Sequence, residues 1–330
     1  MKSIRSIFKT GYGPSSSHTM GPSFAALQFI NEYSDADFVK VILFGSLAKT
    51  GKGHGTDRAI AETLSTVKCD IVFDVVTETP VHPNTLEFIA YKGDAELGRK
   101  TFYSIGGGEI RTDGDTKAVA KEVYKEKSFT EVANYCKAEN IRLSEYVFSH
   151  EGDGIKEYLF SVWKDMQHSI REGLVKTGTL PGGISVERKA QFLYNQKHID
   201  ERPQTRENRL VCAYAFAVSE QNADCGIIVT APTCGSCGVV PAVLKYMQDN
   251  KGFSDNDIVR ALAVAGLIGN IVSTNASISG AECGCQAEIG TACSMASAAL
   301  CELFEMGIDQ IEYAAEVAME HHLGLTCDPV

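Results

Sequence analysis

The sequence predicts an α+β protein in which an N-terminal α+β domain precedes a mostly α-helical domain. Its 330 residues are enough for two domains of about 150 residues each. Strand-like segments alternate with helix-like segments up to about His150, and strand signals nearly vanish from Gly152 onward. We therefore predict domains at residues 1–150 and 151–330.

Composition excludes several classes of protein. The net charge of -11 disfavours non-specific binding to nucleic acid or to an anionic membrane. Eleven cysteines cannot all pair within the chain, and Met1 to Phe8 is too short and too basic for a secretory signal. The apolar segment from Ile258 to Val272 is shorter than the roughly 18 residues of a membrane span. We expect a cytoplasmic protein with reduced thiols and neither a nucleic-acid nor a membrane partner.

The helices and strands of the N-terminal part are predicted from residue types and from helix-capping residues. Phe38 to Gly45 is rich in β-branched and aromatic residues, as expected of a strand. A helix is predicted from Ser23 to Tyr33, and another begins near Thr56 or Asp57, either of which can cap it. Further strands are predicted at Asp70–Thr77, Leu86–Tyr91 and Thr101–Ile105.

A serine-rich stretch precedes the first helix. Within Gly13 to Pro22, the residues Ser16, Ser17, His18 and Thr19 offer hydroxyls, an imidazole and backbone amides. Unsatisfied N–H groups and the helix dipole favour an anion there, so the stretch suits a carboxylate or a phosphate. The alternative is an ordinary helix cap in a proline-bounded turn.

His54 lies between Gly53 and Gly55 just before the second helix. A histidine flanked by glycines has little side-chain packing from its sequence neighbours. It suits a loop tip, or a base that is presented to a substrate. The nearby Lys52 does not make a phosphate-binding loop, because the required Lys-Ser or Lys-Thr spacing is missing.

The C-terminal half is read as helices interrupted by cysteine-bearing loops. Cys234 and Cys237 form a C-x-x-C pair, which suits a redox dithiol, half of a metal site, or a small-residue loop before a helix. Helices are predicted at Tyr158–Val175, Ser185–His198, Arg209–Asn222, Val240–Gln248, Asp255–Gly269, Cys293–Met306 and Gln310–His322.

The stretch from Ile278 to Ile289 is the strongest candidate for chemistry. It contains Cys283 and Cys285 together with Glu282 and Glu288, and glycines interrupt it between two apolar runs. Thiolates and carboxylates in a segment interrupted by glycines indicate a binding site for a metal or a cofactor. Cys327, outside any predicted helix, also suits a ligand better than a core position.

Several motifs in the same order give the chain a resemblance to the iron-sulfur-dependent L-serine dehydratases, the bacterial type that uses no pyridoxal phosphate. The resemblance covers nearly the whole chain. It is carried by Ser15–Pro22, Gly51–Asp57, Ser104–Gly108, Leu180–Gly183, Thr230–Leu244, Ser273–Gly290 and Cys327–Val330. It implies a regulatory-type substrate-binding N-terminal domain, a helical domain that holds the cluster, L-serine as substrate, and a homodimer.

The resemblance also implies site residues. Cys285 and Cys327 match two of three ligands of a 4Fe-4S cluster, whose open iron needs three thiolates. The third would follow Val330, so a longer chain, a companion chain, or another thiol such as Cys234 or Cys283 must complete the site. No Schiff-base lysine motif supports the pyridoxal route.

If the chain dehydrates L-serine, the remaining candidate residues have expected roles in that reaction. The resemblance implies that an open iron polarises the substrate hydroxyl, and we expect His54 to accept the α-proton. Two rival interpretations are an L-cysteine desulfidase and a non-catalytic amino-acid-binding protein that has lost its cluster. The substrate carboxylate is expected to meet Ser16, Ser17, His18 and Thr19, assisted by Asn275, Ser277 and Ser279.

Overall fold

The computed structural model describes residues 1–113, 122–278 and 283–325. Contacts between Cα atoms divide the chain into two compact units. The N-terminal unit comprises Gly11–Ala118 together with Asp224–Gly226. The helical unit comprises Met1–Thr10, Val119–Ala223 and Ile227–Val330.

A five-stranded mixed sheet forms the centre of the N-terminal unit. Its strands lie in the order β3-β2-β4-β5-β6, with β2 parallel to β3 and the other neighbours antiparallel. The strands are β2 (Phe38–Phe44), β3 (Lys68–Asp74), β4 (Thr85–Lys92), β5 (Ala95–Gly106) and β6 (Glu109–Thr112), and a short β1 (Thr10–Tyr12) precedes them.

Three helices pack against one face of this sheet. They are α1 (Gly21–Glu32), α2 (Gly45–Thr50) and α3 (Thr56–Thr63). Strand β2 alternates between buried and half-buried residues, so Val39, Val41 and Leu43 face the helices. Phe29 of α1 stacks on Phe88 of β4 at 5.2 Å between ring centroids. The predicted α+β character of the N-terminal part is confirmed.

Helices dominate the helical unit. After the 3-10 turn Ile4–Ser6 come α4 (Phe129–Glu139), α5 (Leu143–Glu151), α6 (Ile155–Val175), α7 (Ala190–Asn195), α8 (Pro203–Ala223), the short strand β7 (Ile227–Val229), α9 (Val239–Lys251), α10 (Asp255–Asn275), α11 (Cys285–Leu303) and α12 (Ile308–Glu320). The N-terminal segment joins this unit, because Thr230 N donates to Lys9 O at 2.9 Å.

The core of the helical unit is built around α10, whose residues from Ile258 to Asn270 are nearly all buried. By length and composition alone this helix would be able to cross a membrane. However, 67% of its apolar window is buried inside the protein, as in the core helix of a globular protein.

Several local expectations differ from the structure, two of them by most of a helix or by two helical turns. The helix predicted at Ser185–His198 is reduced to α7, because Leu180 N donates to Val186 O at 2.8 Å and ties the preceding residues into a hairpin-like turn. Conversely, α11 begins at Cys285 rather than at Cys293. The boundary between residues 150 and 151 stays a prediction about independently folding domains.

Candidate functional site

The serine-rich stretch of the N-terminal unit folds as a tight helical turn. Residues Ser16–Met20 form one π-helical turn that leads directly into α1. Ser15 caps it, because its Oγ accepts a hydrogen bond from His18 N at 3.2 Å. Thr19 is fully buried and its hydroxyl faces Tyr12 O at 2.9 Å. The Thr19 hydroxyl also accepts from Ser15 N at 3.1 Å, so it bonds to the backbone of β1 and of the cap residue.

His18 and His54 lie side by side. Their rings stack at 4.6 Å between centroids with an interplanar angle of 29°. His18 Nδ1 lies 3.0 Å from Ser17 Oγ, and His18 Nε2 lies 3.1 Å from Ser46 Oγ. Burial and then the neighbouring His54 lower the pKa of His18 to about 4. His18 is consequently a neutral imidazole at neutral pH, held between two hydroxyls.

His54 is held in the turn between α2 and α3. Its Nδ1 lies 2.9 Å from Thr50 O. A carbonyl oxygen can only accept, so a neutral His54 keeps its proton on Nδ1 and presents the lone pair of Nε2. On the other side, Cys225 Sγ lies 3.9 Å from His54 O. A Cβ on Gly55, whose φ is +67°, would approach the same sulfur to 2.5 Å.

Neighbouring elements fix the backbone of this turn. Ser104 Oγ of β5 donates to Ser17 O at 2.7 Å, and Thr56 Oγ1 of α3 donates to His18 O at 2.6 Å. The start of α1 needs glycine, because a Cβ on Gly21 would lie 2.2 Å from Ser104 Oγ. The structure thus brings Ser17, His18 and His54 together.

Sequence reasoning missed Ser46 as a partner of His18. It also gave Ser104 no role, although Ser104 opens one of the motifs that carry the resemblance. The one available signal for Ser46 was its place two residues after the end of β2, in the first turn of α2. That position puts a hydroxyl beyond the carboxyl end of the strand.

A second polar cluster lies in the helical unit. Cys234 and Cys237 are buried, and burial raises the pKa of both thiols, that of Cys237 to about 12. Beside them, Thr233 Oγ1 donates to Glu288 Oε1 at 2.7 Å. The negative charge of Glu288 also raises the pKa of both cysteines. In the metal-free protein both side chains are therefore neutral thiols.

Cys285 is exposed and is the first residue of α11. The first turn of a helix favours negative charge, which suits a thiolate ligand. The candidates Ser279 and Cys327 lie outside the described residues, as does Glu282. Within the described ranges, no three histidine, cysteine or acidic side chains are grouped closely enough to hold a metal ion.

Asn275 and Ser277 lie at the end of α10 and just beyond it. Asn275 Nδ2 donates to Lys127 O at 2.6 Å and to Ile271 O at 2.9 Å. Both backbone carbonyls are therefore bonded by the side-chain amide of Asn275 in this structure. Ser277 is half-buried.

Two family models together match almost the whole chain. The model described as serine dehydratase beta chain matches residues 3–70 and 61–115, and the model described as serine dehydratase alpha chain matches residues 114–330. The division agrees with the order of an α+β part followed by a helical part.

Relatives that are similar to nearly the whole chain are also serine dehydratases. L-serine dehydratase 1 of Escherichia coli (strain K12) is 38% identical over 100% of this chain and 85% of its own length. The L-serine dehydratase of Streptomyces coelicolor is 36% identical over 99% of this chain and 84% of its own. That of Helicobacter pylori is 34% identical over the same shares.

Proposed function

The chain belongs to the serine dehydratase family, and we propose that it is an L-serine ammonia-lyase. In this reaction the α-proton and the β-hydroxyl of L-serine leave, and the aminoacrylate product tautomerises and hydrolyses to pyruvate and ammonia. The observation that carries the proposal is the similarity to L-serine dehydratases over 99 to 100% of the chain. A cytoplasmic location stays a prediction.

His54 is the base for the α-proton in this proposal. Its Nδ1 faces Thr50 O, so Nε2 is the nitrogen with an available lone pair. The half-buried ring stacks on a neutral His18, which adds no positive charge beside it. An imidazole with one oriented lone pair is suited to proton abstraction.

The substrate carboxylate is assigned to the serine-rich turn. The hydroxyls of Ser16 and Ser17 are half-buried rather than enclosed, and they stand at the entrance to α1, where a negative charge is favoured. His18 orients Ser17 Oγ through Nδ1 at 3.0 Å. Thr19 contributes by shaping the turn, since its hydroxyl joins the cap residue Ser15 to Tyr12 of β1. Ser277 and Ser279 remain proposed assistants, and Asn275 would have to release Lys127 O or Ile271 O before it could donate to the carboxylate.

The cofactor implied by the family resemblance is a 4Fe-4S cluster. When bound, it supplies a Lewis-acidic iron for the departing hydroxyl. Among the described residues the exposed thiol of Cys285 is the proposed ligand. Cys327 is the second proposed ligand.

Anaerobic reconstitution tests the proposal. The protein is incubated with iron and sulfide, desalted, and assayed for bound iron and for pyruvate formed from L-serine. We expect bound iron and pyruvate. Sulfide release from L-cysteine in place of pyruvate from L-serine would favour a desulfidase, and the absence of both bound iron and turnover would contradict the proposal.

The His54→Asn variant tests the base. We expect turnover to fall by at least about a hundredfold, because general-base catalysis contributes on the order of 10² to 10⁴ in rate. Serine binding, measured calorimetrically, should change little. His168→Asn, on an exposed position of α6, is the matched control and should keep normal turnover. Near-normal turnover in His54→Asn would reassign the base.

A further inference from the structure

The first turn of α11 carries Cys285 but has no side-chain cap at its start, because its N-cap residue is Gly284 with φ +79°. The first turn of a helix frays easily when its N–H groups lack a capping partner. A side-chain contact further along this turn would help to hold the turn in place. Glu288 lies three residues further on, on the same face of the helix as Cys285.

Glu288 makes that contact with the loop that begins at Ala231. Its Oε1 accepts a hydrogen bond from Thr233 Oγ1 at 2.7 Å. The loop also closes over the carboxylate at Gly235, where an added Cβ would lie 2.9 Å from Glu288 Oε2. Both the hydrogen bond and the absent side chain thus bring the loop against one carboxylate.

Internal hydrogen bonds and burial hold the loop that donates the Thr233–Glu288 hydrogen bond. Ser236 Oγ donates to Ala231 O at 3.0 Å and lies 3.1 Å from Thr233 Oγ1. Thr233, Cys234, Ser236 and Cys237 are all buried. A hydrogen bond from a buried and internally bonded hydroxyl restricts its acceptor more than one from a mobile surface group would.

We propose that Glu288 is a positioning residue, which anchors the first turn of α11 to Thr233 and so fixes the direction of the Cys285 thiolate. The anchor is a feature of the polypeptide itself. Its consequence for the cluster rests on the proposed function, in which Cys285 is a ligand. Supporting groups of this kind typically change metal affinity by about tenfold or more.

Two readouts separate the anchor from the function. Hydrogen exchange of the amides of residues 286–289, followed by mass spectrometry on the protein without added iron, reports the anchor alone. In Glu288→Ala we expect these amides to exchange about tenfold faster, because a hydrogen bond to a charged group is lost. Glu288→Gln keeps an acceptor oxygen for Thr233 and should stay close to the parent.

Thr233→Val is the second test, since it removes the hydrogen-bond donor with little change in shape. Its amides at residues 286–289 should exchange as fast as those of Glu288→Ala. Thr233→Ser keeps the donor, and Glu316→Ala on an exposed position of α12 is the control; both should exchange like the parent. Gly235→Ala should also accelerate exchange by crowding the carboxylate. Unchanged exchange in Glu288→Ala and Thr233→Val would overturn the inference.

Iron content after reconstitution supplies the second readout. We expect Glu288→Ala and Thr233→Val to lose iron to a chelator about tenfold faster than the parent and Glu288→Gln. Faster exchange with unchanged iron retention would overturn the role towards Cys285 and leave the anchor standing. A parent protein that binds no iron and forms no pyruvate would contradict the proposed function instead.

Discussion

At the scale of single residues, His18 of the candidate site makes the free energy of unfolding depend on pH. Its ring is partly buried between Ser17 and Ser46 and stacks on His54. These surroundings lower its pKa from 6.5 to about 4. Between those two values the unfolded chain binds a proton that the folded protein does not, so the free energy of unfolding falls as the pH decreases.

We expect this loss to begin near pH 6.5 and to level off near pH 4. Its size should be on the order of 1 to 2 kcal/mol, less than the full shift would give, because the ring is partly solvated. Urea unfolding at a series of pH values measures it. In His18→Asn the His18 contribution should disappear, and a pH dependence identical to that of the parent would contradict the assignment.

At the scale of elements, an ion pair between a half-buried arginine and a buried carboxylate joins α5 to α11. Glu302 is 1% exposed, and its carboxylate accepts from Arg142 Nη2 at 2.8 Å and from Ser144 Oγ at 2.7 Å. Arg142 precedes α5, and Ser144 lies in its first turn. One carboxylate therefore ties the start of α5 to the helix that begins at Cys285.

We expect Glu302→Gln to lower the free energy of unfolding by about 2 to 3 kcal/mol, because it leaves the Arg142 charge without its buried partner. Asp309→Asn is the control. It breaks the Lys137–Asp309 pair, whose side chains are 53% and 75% exposed, and should cost less than about 1 kcal/mol. Equal effects of the two changes in urea unfolding would contradict this ranking.

At the scale of the whole molecule, the two units carry different chemistry. The proposed base His54 and the serine-rich turn lie in the N-terminal unit, and the proposed ligand Cys285 lies in the helical unit. We expect a homodimer, as the family resemblance implies. Light scattering coupled to gel filtration checks this, with a mass of two chains expected and a mass of one chain contradicting it.

The sequence by itself determined the class of fold, the family, and the types of most elements. Strand β2 and helix α10 were visible because alternation and long apolar runs report local burial directly. The motifs around His18, His54 and Cys285 were likewise readable, since each lies within a few consecutive residues. The start of α11 was placed too late because glycines and polar residues masked its first turns.

Only the tertiary structure decided which side chains meet. Ser46 lies 28 residues from His18, Ser104 lies 87 residues from Ser17, and Glu288 lies 55 residues from Thr233. Such pairs leave no periodic trace, because packing of whole elements rather than local propensity brings them together. The same packing holds His18 neutral beside His54 and places Thr233 against the helix that presents Cys285.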